Sequence, residues 1–224
     1  MEAILAPLVH SPKLHFYLRQ LQEVVKAENV KRQRFYADIT EDQKAEFING
    51  AVVIQSPVKL QHHRAASLLF NLLHNYVHLH HLGLVGYEKI MISLTRNDYE
   101  PDLCFFPQAI ADDFTQGQWQ FPTPAFIVEV LSPNTADIDR TIKFEDYAAH
   151  GVGEYWIIDP EAETIEQYLL AENGYKLRVK VQTGAIRSRA IAGFEIPVRA
   201  IFEEQANLRV LQAWLAESPV KGEK

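Results

Sequence analysis

The stretch Ala125-Phe126-Ile127-Val128-Glu129-Val130-Leu131 decides the fold. It is apolar throughout except at Glu129. A continuous apolar run of this length is the pattern of a strand covered on both faces, as at the centre of an α/β sheet. A carboxylate inside such a run loses its hydration, which is costly unless the group is paired or bound to a cation. Two readings of Glu129 therefore stand side by side. It is either a structural acid satisfied by a buried arginine or backbone amides, or a metal ligand at a functional site.

Working outward, Pro101-Asp102 opens the apolar part of a second strand within Asp98–Phe106. The two acids could thus meet at one end of neighbouring strands. Two convergent carboxylates, a backbone carbonyl and waters form a set that suits Mg²⁺. A helix is expected from about Thr135 to His150, stopped by Gly151. It sets Asp139, Lys143 and Tyr147 on one stripe, because a step of four residues advances only 40° around a helix. Glu154–Asp159 follows as another buried strand, ended by Pro160.

Further out, residues 13–29 carry helical spacing through Leu14, Tyr17, Leu21, Val24 and Val25. Asn49-Gly50 between Glu46–Ile48 and Ala51–Ile54 is a hairpin signal, since both residues tolerate positive φ. A helix is expected from Lys59 to His78, with Ala65, Leu68, Leu69, Leu72, Leu73 and Tyr76 on its apolar face. Gly86–Leu94 reads as a strand, and Thr164–Leu170 with Lys176–Val181 as a hairpin turned at Asn173-Gly174. A strand-like GFEIPV and a helix near Leu208–Glu217 close the chain. The expected class is α/β, a mixed central sheet flanked by helices. Residues 1–38 are read as a helical extension and 39–224 as the main domain.

The 224 residues carry 22 Lys and Arg against 29 Asp and Glu, a net charge of −7. That balance argues against tight nonspecific binding of duplex DNA, which favours a basic face. It does not oppose a metal site, which is built from acids. Basic clusters do exist, at Lys26, Lys31, Arg32 and Arg34 and at Lys176, Arg178, Lys180, Arg187 and Arg189. No apolar run is long enough for a membrane helix, and the N-terminus has neither a basic leader region nor a cleavage signal. One cysteine, Cys104, lies in the apolar run Leu103–Phe106 and reads as a core residue. These features place the protein in the cytoplasm, with no membrane partner.

The order and spacing of several motifs resemble the Uma2 family of bacterial proteins, within the PD-(D/E)XK, or restriction-endonuclease-like, superfamily. They are Glu46-Phe47-Ile48-Asn49-Gly50 with Ser56-Pro57, His62 heading a helix, Pro101-Asp102, and Val128-Glu129-Val130-Leu131-Ser132-Pro133. Asp139 with Lys143 and Tyr147, Gly151 through Pro160, and Ile191–Phe194 continue the series. The likeness covers roughly residues 40–205. It implies an endonuclease that hydrolyses phosphodiester bonds of DNA with Mg²⁺ or Mn²⁺, and a homodimer is a further expectation. Asp102, Glu129 and the Val130 carbonyl would hold the metal, with Lys143, Glu46 and His62 as further catalytic candidates. The chain departs from the superfamily pattern at Leu131, where a lysine is usual. Lys143, on the next helix, is the candidate to replace it.

Plainer roles compete at each position. Asp139 and Lys143 could be an exposed i,i+4 pair worth a few tenths of a kcal/mol, Glu46 an exposed strand acid, and His62 a hydrogen-bonded core histidine. His74, His78, His80 and His81 suggest zinc but have no evident third ligand type nearby. Glu154 and Asp159 read as structural groups, and Ser132 lies in no nucleophile elbow. The main rival to an enzyme is a nuclease-fold protein without turnover that binds nucleic acid or a partner. A second rival is an interaction protein whose acids serve only folding.

Overall fold

The computed structural model describes residues 5–40 and 42–217. In chain order the elements begin with helices α1 (Leu5–Val9) and α2 (Leu14–Asp38), strands β1 (Ala45–Ile48) and β2 (Ala51–Ile54), and helix α3 (Leu60–Leu79). Strands β3 (Gly83–Tyr87), β4 (Met91–Ser93), β5 (Asp98–Tyr99) and β6 (Leu103–Pro107) follow. Next come the short helix α4 (Gln108–Ala111) and strands β7 (Gln120–Phe121) and β8 (Phe126–Val130). Helices α5 (Ala136–Arg140) and α6 (Ile142–Ala149) lead to β9 (Glu154–Asp159), β10 (Thr164–Ala171) and β11 (Gly174–Val181). Strands β12 (Ala185–Arg187) and β13 (Glu195–Pro197), a 3₁₀ turn at Val198–Ile201 and helix α7 (Glu204–Glu217) complete the series.

These elements form two compact units. One holds the chain up to Gln55 together with Thr95–Tyr99, and the other holds Ser56–Leu94 and the chain from Glu100 onward. In the first unit, Asn49 (φ 49°) and Gly50 (φ 80°) make the turn of the β1–β2 hairpin. Both lie in the left-handed region that a two-residue hairpin turn requires. β5 pairs antiparallel to β1 at Phe47↔Asp98. Helix α2 runs nine residues past the expected end at residue 29, and tertiary contacts explain the extension. The Arg32 guanidinium grips both Asp98 carboxylate oxygens at 2.6 and 2.7 Å, the Tyr36 hydroxyl donates to Asp98 at 2.8 Å, and Phe35 stacks on Phe47.

The second unit is built on a six-stranded sheet in the order β11-β10-β9-β8-β6-β3. Within it β8 and β9 run parallel, while the other pairs are antiparallel. All five residues of β8 are buried. Phe126, Val128 and Val130 join Ala65, Leu69, Leu72 and Leu73 of α3 in one core, with Trp156 and Ile158 of β9. The period of two along a strand sends Ile127 and Glu129 to the opposite face.

Four further expectations are corrected. Gly86–Leu94 is two strands, β3 and β4, separated around Glu88, which has φ 45°. Asp98–Phe106 is likewise divided, into β5 and β6, at Glu100-Pro101-Asp102, where Pro101 has no N–H for a ladder. The helix expected over 135–150 breaks at Thr141 (φ −124°, ψ −81°) into α5 and α6. The Thr141 hydroxyl donates to the Asp137 carbonyl one turn back, a local bond that competes with helix continuation. The β10–β11 hairpin turns at Glu172-Asn173, one residue earlier than expected, with Gly174 at φ 99° opening β11.

Candidate functional site

Strand register brings the two acids of the sequence pattern together. β6 and β8 pair as Leu103↔Val128, Cys104↔Ile127 and Phe105↔Phe126. Continuing that antiparallel register by one residue sets Asp102 opposite Glu129. The Asp102 carboxylate is tied to the same strand, because the Val130 backbone N–H donates to its Oδ2 at 2.8 Å. Nε2 of His62, in the first turn of α3, lies 3.2 Å from that oxygen. Asp102, Glu129 and His62 are all buried.

On the other side of β8, α6 supplies a cation to Glu129. Lys143 Nζ donates to Glu129 Oε1 at 2.9 Å, and the Tyr147 hydroxyl donates to the same oxygen at 3.0 Å. Asp139 Oδ1 lies 3.2 Å from the ammonium. Lys143 and Asp139 are each only 1% exposed, so this i,i+4 pair is a buried one. The break at Thr141 leaves the pair intact, with Asp139 on α5 and Lys143 on α6.

Neighbouring groups register the negative charge. The Tyr155 hydroxyl, which donates to the Asp139 carbonyl at 3.0 Å, is pushed well above the usual phenol range. Burial is the main cause, and the charges of Glu129, Asp139 and Asp102 add to it. Cys104 is pushed up to about 12, chiefly by burial and further by Glu129, while a backbone hydrogen bond from Gly86 acts in the opposite sense. A thiol held protonated in this way is a core group and no nucleophile. Tyr155 was not singled out from sequence. The available signal was its place in β9 on the same face as Ile157, opposite the core residues Trp156 and Ile158.

Glu46 lies in the first unit, buried on β1 opposite Val53, and is not the exposed strand acid of the plainer reading. Glu154 is fully buried and structural. Its Oε1 accepts from Trp156 Nε1 and Gln167 Nε2, and its Oε2 from Ser188 Oγ and the backbone N–H groups of Arg189 and Ala190. Among the described residues no three His, Cys, Asp or Glu side chains are grouped to hold a metal ion. Among the described residues, then, none are grouped as a closed, all-protein cage of the zinc type. Mg²⁺ is commonly held by one or two carboxylates with waters and substrate phosphate, and Asp102 with Glu129 supplies hard oxygen donors of that kind. A cleft also borders the first turn of α3, lined by Leu60, Gln61, Arg64, Pro160, Glu163 and Phe202.

A mixed sheet flanked by helices, with paired acids at adjoining strand positions, defines a protein of the restriction-endonuclease-like class. A family described as "Uma2: Putative restriction endonuclease" matches residues 31–199. The chain belongs to the Uma2 family. A solved structure from Anabaena variabilis, described as a "putative nuclease belonging to DUF820", is similar in fold, with a TM-score of 0.65 and 16% sequence identity. The similarity covers 75% of this chain and 94% of that one. No curated protein matches. Among the described residues no helix is long and apolar enough to cross a membrane.

Proposed function

We propose that this protein is a divalent-metal-dependent endonuclease that hydrolyses phosphodiester bonds of DNA in the cytoplasm, with residues 39–224 as its nuclease domain. One observation carries the reading. Asp102, the residue before β6, faces Glu129 of β8 when the β6–β8 register is continued by one residue, with a buried ammonium, Lys143 Nζ, 2.9 Å from Glu129. Asp102 and Glu129 would hold Mg²⁺ or Mn²⁺, with the Val130 carbonyl as a further oxygen. When bound, such a cation polarises a phosphoryl oxygen and makes a metal-bound water more acidic.

The chain's own groups prepare that site. The Val130 N–H and the His62 ring fix Asp102. Lys143 and Tyr147 fix Glu129 through one oxygen, Oε1. In the reaction Lys143 would stabilise charge developing on the phosphate, the task of the strand lysine that Leu131 replaces. Glu46 is retained as a further acid candidate.

The test is incubation of the pure protein with mixed single-stranded, duplex and branched DNA plus Mg²⁺ or Mn²⁺. Cleavage by the wild type, abolished in Asp102→Ala/Glu129→Gln, is the expected result. Equal cleavage by both proteins would remove these acids from the mechanism. One observation favours a second reading, in which the fold binds nucleic acid or a partner without turnover. Lys143 sits between Glu129 and Asp139, an ion-paired position that also serves folding. Metal-dependent binding without cleavage by the wild type would select it.

A further inference from the structure

Helix α2 uses one stripe for two purposes. Leu14, Leu18, Leu21, Val25, Glu28, Arg32 and Phe35 follow at alternating steps of four and three, the spacing of a coiled-coil seam. The C-terminal part of this stripe is covered within its own unit. Phe35 is buried against Phe47, Arg32 grips Asp98, and Glu28 pairs with Arg96 at 2.7 Å. The N-terminal part is open, with Leu18, Leu21 and Val25 48%, 57% and 54% exposed. All residues from Leu18 to Ala27 are exposed, and a helical stretch bare on every side is marginal in water without a partner. The family match begins at residue 31, so this arm lies outside what the family resemblance requires.

We propose that the open stripe is the contact between two copies of this chain, packed helix to helix through Leu18, Leu21 and Val25. Charge selects a second copy as the occupant. A shallow groove takes in Leu18, Leu21 and Val25 and the flank beside them, and among all its lining residues only Lys26 is charged. Two identical charged faces would repel, whereas a neutral apolar one is self-complementary about a twofold axis. A nucleic acid would need a row of cations there, and the groove offers one. Size sets the strength. Residues 14–30 span about 25 Å of helix roughly 10 Å wide, a face of a few hundred Å², smaller than the ~800 Å² per partner of a standard interface. The dimer is accordingly reversible, dissociating on dilution.

The assembly is independent of the chemistry proposed above, and its test reads mass and not cleavage. Sedimentation velocity of the full chain over a dilution series should show a species of twice the 25.6 kDa chain mass that gives way to the single chain. Leu18→Glu/Leu21→Glu should be a single chain throughout. Leu18→Ala/Leu21→Ala, which keeps a strong helix former at both sites, should dissociate at least tenfold more readily, with unchanged far-UV circular dichroism. A wild type of single-chain mass at every concentration overturns the proposal, as do helical variants that dimerise as well as the wild type. A single-chain wild type that binds a different protein through Leu18 and Leu21 would assign the face to that partner and equally overturn it.

Discussion

Removing Lys143 and removing Glu129 are not equivalent changes, although the two side chains share one hydrogen bond. Lys143 lies between Glu129 and Asp139, with Asp102 facing Glu129 across the strands. Lys143→Met would deprive closely grouped buried carboxylates of this ammonium, and stripping one partner from a buried pair costs about 3–5 kcal/mol. Glu129→Gln instead leaves Lys143 beside Asp139 and reduces repulsion among the acids, so its cost should be smaller. Urea denaturation should therefore rank Lys143→Met below Glu129→Gln in stability, and the reverse order would mean that the ammonium is not what holds these acids. Under the nuclease reading both variants lose cleavage by orders of magnitude, and Lys143→Met retains metal affinity because oxygens hold the cation.

At the scale of elements, two buried acids act as clasps between strands and loops. Glu154 on β9 accepts five hydrogen bonds, three of them from Ser188, Arg189 and Ala190 between β12 and β13. Glu154→Gln replaces an acceptor with a donor that faces donors. Hydrogen bonds to a charged group contribute about 1.5–3 kcal/mol each, so several kcal/mol should be lost. Amide exchange at Arg189 and Ala190 should accelerate before that of β8, and uniform acceleration across the sheet would refute a local clasp. Glu166 on β10 gathers Arg140 from α5 and Lys180 from β11. Its carboxyl is lowered to about 2, first by the Arg140 hydrogen bond and against the opposing effect of burial. A depressed folded-state pKa gives stability that is present above the unfolded value of about 4.5 and lost as pH falls toward 2. Glu166→Gln should flatten the stability profile between those pH values and leave its shape unchanged near neutrality. Thermal melts at stepped pH check this, and an unchanged acid limb would rule out the Glu166 cluster as its source.

For the whole molecule, the net charge of −7 and the grouped acids make cation binding a stability question. Under the nuclease reading a divalent cation held by Asp102 and Glu129 would relieve repulsion between carboxylates, so Mg²⁺ or Mn²⁺ should raise the melting temperature. At one hundred times Kd the gain is about 2.7 kcal/mol, roughly 5–10 °C for a chain of this size. Asp102→Asn/Glu129→Gln should show no such rise. A wild type whose melting curve is unmoved by millimolar cation would sink the metal site without affecting the fold.

Much of this arrangement is written in local pattern. The all-apolar run around Glu129 marked a central strand, Asn49-Gly50 marked the hairpin, and the spacing of Pro101-Asp102, Glu129, Lys143 and Tyr147 pointed to one family and one group of side chains. Those signals are short-range, since periodicity and turn chemistry depend on neighbours in sequence. Other features depend on residues far apart. The length of α2 rests on Asp98, more than sixty positions away from Arg32, and the burial of Lys143 rests on Glu129 across a helix break set by Thr141. The sequence alone singled out Asp102, Glu129 and Lys143 as candidate acids and cation. Only the tertiary structure decided that Lys143 is a buried partner and no surface one, because burial follows from what packs across a strand and not from the order of residues along it.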